Sequence, residues 1–220
     1  MRKALVLALG VALIAPLAFA QTNVLSQNAV GYVKRTVNPG EFDYIQIPFV
    51  TIDGSTNKVS DVFGDLPDGS NVLTWDPVGQ TYIQSSKSFF GWAPDVDLVL
   101  GQGFFLQIPG TEAAPVDVYL LGEVPSDATV DIPLVSGGGF AAVGVPYPAA
   151  LTIETSGLDA ALVSGDSVLV WDIVGQGYVQ VSKSFFGWAP ANTPLNPGDG
   201  FFVQAAAGGT YTETKPYSWP

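Results

Sequence analysis

Neither cysteine nor histidine occurs in the 220 residues, and methionine occurs once. These absences exclude the Ser-His-Asp and Cys-His nucleophilic systems, His-ligated zinc and iron, and every thiolate site. They also remove a disulfide framework and a lipoprotein acylation site, so the fold must rest on a core. Basic residues are scarce, with eight Lys and Arg against 20 Asp and Glu. Nucleic acid and anionic membrane both need clustered cations to neutralise phosphate, which sets them aside as partners. Charged residues make up 13% and apolar ones 47% of the chain, a balance that suits a packed core and not a disordered polyelectrolyte.

The first twenty residues, MRKALVLALGVALIAPLAFA, run from Arg2-Lys3 through an apolar stretch to Ala18-Phe19-Ala20. That order predicts a secretory signal peptide cleaved near Ala20, and hence a secreted protein of the cell surface, periplasm or extracellular space. Loss of Arg2 and Lys3 leaves six basic residues and a net charge of −14. No later segment is apolar for the ~20 residues that a spanning helix needs, so membrane insertion of the mature chain is not expected.

A duplication organises the rest. Trp75 to Pro94 reads WDPVGQTYIQSSKSFFGWAP and Trp171 to Pro190 reads WDIVGQGYVQVSKSFFGWAP, and within them SKSFFGWAP is identical. Upstream, GEFDYIQIPF from Gly40 matches GGFAAVGVPY from Gly138; downstream, GQGFFLQ from Gly101 matches GDGFFVQ from Gly198. Short β-prone runs alternate with turn clusters, and each WDxVGQ segment reads as a hairpin turn with Gly79 or Gly175 at a positive φ. Ser60 and Ser156 are expected to cap the two short helical turns. The predicted class is all-β: two tandem repeats of about 95 residues, each a sandwich or small barrel with at most short helical turns. Residues 1–20 form the signal, 21–125 the first repeat with its N-terminal lead strand, and 126–220 the second with its C-terminal tail.

The layout Gly-x-aromatic, Trp-Asp-x5-Tyr and Gly-x-Gly-Phe-Phe resembles the Gly/Trp-rich β-modules of secreted bacterial surface proteins. With SQNAVGY at Ser26–Tyr32 and two copies of FFGW, the chain is similar to a family of exported, duplicated bacterial β-proteins. That resemblance implies fold and location, and it carries no activity or site residues.

For chemistry, paired carboxylates remain. Asp76 and Asp172 could in principle flank a glycosidic bond, but each follows a Trp at a turn, where Asp bonds local amides. The loops at residues 53–57 and 65–71 carry oxygen ligands that suit a hard cation without matching EF-hand spacing, and turn composition explains them as well. No catalytic residue, cofactor or metal is assigned, and the chain is read as a non-enzyme. The duplicated aromatics are the stronger candidates: Phe90, Trp92, Phe186 and Trp188, with Lys87 and Lys183 beside them, form a ligand or packing platform. Strand alternation would send Phe89 and Phe90 to opposite faces; the scarce lysines are read first as solvated, with pairing to a carboxylate of a neighbouring repeat or subunit as the alternative.

The expected function is a secreted, self-assembling structural component of the cell exterior. The lead Val24–Val37 could serve as an exchanged strand, since few charges guard the edges. The alternative is a polysaccharide-binding module with Trp92 and Trp188 as stacking platforms. An outer-membrane barrel suits the Gly/Pro interruptions least.

Overall fold

A computed structural model describes residues 29–51 and 57–218. The signal-peptide expectation and most of the 53–57 loop lie outside them. The class is all-β and sandwich-like, with open antiparallel sheets; the strands close no barrel among the described residues, so the barrel alternative falls.

The first repeat contains β1 (Val30–Val37), β2 (Phe42–Gln46), β3 (Asn57–Lys58), α1 (Val59–Phe63), β4 (Asn71–Asp76), β5 (Thr81–Ser88), β6 (Gly91–Ala93), β7 (Asp97–Leu98), β8 (Gly103–Gln107) and β9 (Val116–Glu123). The second repeats the order with β10 (Thr129–Leu134), β11 (Phe140–Gly144), β12 (Leu151–Thr152), α2 (Leu158–Ala161), β13 (Ser167–Asp172), β14 (Gly177–Ser184), β15 (Gly187–Ala189), β16 (Pro194–Leu195), β17 (Gly200–Gln204) and β18 (Gly209–Thr214). Each repeat builds one five-stranded sheet, β2-β8-β4-β5-β6 or β11-β17-β13-β14-β15. A two-stranded ribbon, β1-β9 or β10-β18, covers its outer face.

Period-2 alternation decides what each sheet face does. In β8, Phe104 enters the core of its own repeat with Ile45, Val72, Val118 and Leu120. Phe105 turns the other way, against Tyr44 and Phe202 of a central layer between the two sheets. Phe201 and Phe202 divide in the same way. The Phe-Phe pair of each Gly-x-Gly-Phe-Phe run therefore ties the inside of a repeat to the joint between repeats.

β1 pairs along its whole length with β9 of the same chain, Val30 opposite Glu123 through Val37 opposite Val116; residues 24–28 of the lead lie outside the described residues. Two expectations need correction here. Gly79 and Gly175 are not the left-handed residues of their turns; Gln80 (φ 50) and Gln176 (φ 48) are. The glycines answer a different demand, because a Cβ there would stand 2.7 Å from Oδ2 of Asp76 or Asp172. Finally, Ser60 lies inside α1, where Asp95 accepts from its amide and its hydroxyl. Ser156 does accept the Leu158 amide, at 3.3 Å.

Candidate functional site

In SKSFFGWAP the hairpin β5-β6 brings Lys87 opposite Trp92 and Ser88 opposite Gly91. Phe89 and Phe90 are the turn itself and belong to no strand, so neither points into a core. Ser88 Oγ accepts the Phe90 amide and donates to the Gly91 carbonyl, each at 3.3 Å. Gly91 follows at φ 99, a conformation side chains resist. Ser184 and Gly187 (φ 110) repeat the device. The two tips are almost wholly exposed: Phe89 88%, Phe90 95%, Phe185 89% and Phe186 95%. Within each tip the rings meet edge to face, with centroids 5.6 and 5.7 Å apart.

The tryptophans do the opposite. Trp92 and Trp188 are 8% and 7% exposed and sit in the cores of their repeats. Trp92 Nε1 donates to the Phe63 carbonyl at 3.1 Å, and Trp188 Nε1 to Asp159 Oδ1 at 2.8 Å, so each fastens its hairpin to a short helix. They offer no open face for a sugar ring, which corrects their assignment as stacking platforms. Lys87 pairs with Asp68 at 3.5 Å and Lys183 with Asp159 at 2.8 Å, both within their own repeat and not across to the other. Lys183 also stands 5.4 Å above the Trp188 ring. Hydrogen bonds from Lys183 and then Trp188 hold the Asp159 carboxyl below the usual carboxylate range.

Asp76 and Asp172 accept the amides of Val78 and Val174, at 2.9 and 3.0 Å, as turn-forming aspartates do. The rest of WDxVGQ reaches across to the other repeat. Trp75 Nε1 donates to the Phe140 carbonyl and Trp171 Nε1 to the Phe42 carbonyl. Gln80 takes the Phe140 amide on Oε1 and returns Nε2 to its carbonyl, while Gln176 grips Phe42 identically. A left-handed Gln thus acts as one added ladder residue on the neighbouring repeat. Near the joint, Tyr82 and Tyr178 hydroxyls stand 3.3 Å apart.

The Gly-x-Gly runs mark where the backbones touch. Gly101 and Gly198 have φ 75 and φ 84, and their carbonyls accept the Gly144 and Gln46 amides at 2.9 Å. A Cβ on Gly103 or Gly200 would come within 2.8 Å of the Val143 or Ile45 carbonyl oxygen.

Two clefts flank this joint in equivalent places, and their linings have diverged. One, of about 290 Å³, lies beside Trp171 and holds Arg35, Asp43 and Asp199. Arg35 is bidentate to buried Asp43, at 2.9 and 2.7 Å, and reaches Asp199 of the other repeat at 2.6 Å. Burial opposes its charge, but the bonds and attraction of the two carboxylates outweigh that and raise the guanidinium pKa further. The other cleft, of about 250 Å³, lies beside Trp75 and has Ile132, Ala141 and Gln102 where the first has Arg35, Asp43 and Asp199. No reading of the sequence singled out these three ionic residues. The available signal was that Arg35 is the only Arg beyond Arg2.

Among the described residues no three His, Cys, Asp or Glu cluster as a metal site. No protein-family model, curated protein or solved structure matches the chain.

Proposed function

We propose that the protein is an exported structural component that assembles with copies of itself. The observation that supports this most is the division inside SKSFFGWAP. Its Trp is consumed by the core, while its two Phe rings stand outside, in both repeats. Fully burying one Phe is worth about 1.5–3 kcal/mol, and the fold leaves four such rings in water. Paired aromatic tips of this kind suit association, and isolated apolar side chains scattered over a surface do not. Few lysines or arginines stand by to discourage contact between copies.

Purified protein starting at Gln21 should show sedimentation coefficients that rise with concentration, and electron microscopy should show ordered assemblies. A protein that stays monomeric at high concentration and yields no assemblies overturns the reading. The same material bound by a polysaccharide panel, without association, would favour the carbohydrate alternative resting on Phe90 and Phe186.

A further inference from the structure

The two clefts beside the joint occupy equivalent places, and they differ in what their linings admit. In the Trp171 cleft, of about 290 Å³, a guanidinium and two carboxylates line the space. In the Trp75 cleft, of about 250 Å³, Ala141 and Ala142 stand where the first repeat has Asp43 and Tyr44, and the lining is mostly apolar. Its walls include Trp75, Val99, Pro133 and Ala142, with Gln102 and Asp131 as the polar members. A dry cavity of about 150 Å³ accepts a benzene ring, and an indole wall offers the edge-to-face contact that phenyl rings prefer. The chain itself presents matching knobs, the Phe89-Phe90 and Phe185-Phe186 tips, whose rings nothing else in the described residues covers.

We propose that the Trp75 cleft is the acceptor for a Phe tip of a second copy of this chain. The inference rests on the self-assembly reading and gives it a mode. The contact joins two different surfaces, so it leaves a further cleft and further tips open after each addition and propagates instead of closing. Among the described residues each chain carries two such tips, and of these two clefts the Trp75 one is usable, because the charged cleft rejects a phenyl ring: a ring there would displace or strand the partly buried ions.

Val99 is 60% exposed at the cleft, so Val99→Glu places a charge there without touching the core. Ala142→Leu fills the cavity by bulk instead. Both should weaken association by about tenfold or more, the loss expected at a central interface contact. The decisive test mixes two chains that cannot assemble alone: one with Val99→Glu and intact tips, the other with an intact cleft and all four tip phenylalanines changed to Ser. The mixture should form discrete complexes of up to two cleft-bearing chains on one tip-bearing chain. Wild-type association that survives both cleft variants, or a mixture that stays monomeric, overturns the cleft assignment while leaving self-assembly standing. A wild type that does not associate removes the underlying reading instead.

Discussion

Gln46 lies directly over Gly144, its own counterpart in the second repeat. A methyl group on Gly144 would overlap the Gln46 side chain, whose Nε2 donates to the Val145 carbonyl at 2.6 Å. Where two related halves meet about a common axis, equivalent residues face each other, and two large ones do not fit. Here one repeat keeps Tyr44 and Gln46 and the other Ala142 and Gly144. Gly144→Ala should therefore cost about 1–3 kcal/mol by overpacking. Adding Gln46→Gly to it should recover part of that loss in urea denaturation, a coupling that a simple surface glycine would not show.

The Arg35, Asp43 and Asp199 cluster gives a second prediction. Arg35→Ala leaves Asp43, which is 1% exposed, without its cation. The expected loss is about 3–5 kcal/mol. Replacing all three by the residues of the other cleft, Arg35→Ile with Asp43→Ala and Asp199→Gln, should be milder than the single change. Chemical denaturation of the two variants side by side checks the order.

Tyr44 carries a buried hydroxyl with no hydrogen-bond partner among the described residues, inside an aromatic layer where it stacks on Phe105 with centroids 4.4 Å apart. Burial, and then the neighbouring Tyr178 and Tyr82, push its pKa well up. Tyr44→Phe keeps the ring and removes the unpaired group, so stability should be unchanged or higher. A loss of more than about 1 kcal/mol would mean that the hydroxyl has a partner.

Asp159 supplies a pH signature. Its folded carboxyl titrates below the unfolded value of about 4. The Asp159 contribution is thus present above that pH and fades as pH falls through the lower folded value. Because Asp159 is about half exposed, the pair with Lys183 is worth less than about 1 kcal/mol. Asp159→Asn should be less stable than wild type at pH 7, and urea midpoints should converge in acid.

Much of this architecture was legible in the chain. The offset repeats gave the two modules, and the turn chemistry of Asp76 and Asp172 followed from their place after Trp. What failed was local geometry with two competing explanations. Phe89 and Phe90 read as strand because they sit in a β-prone run, although Ser88 and Gly91 bracket them as a turn. Gly79 suggested a positive φ, but the Asp76 carboxylate excludes a Cβ there and Gln80 takes the left-handed place. The joint was hidden for another reason. Arg35 and Asp199 are 164 residues apart, and the equivalence of the two clefts exists only once the sheets face each other.

The most direct test of the account is sedimentation velocity across a concentration series, comparing the protein from Gln21 onward with a variant carrying Ser at 89, 90, 185 and 186. All four rings are outside the core, so circular dichroism and the unfolding midpoint should match the wild type. The wild type should associate as concentration rises, and the variant should remain a monomer. Equal association by both proteins would contradict this.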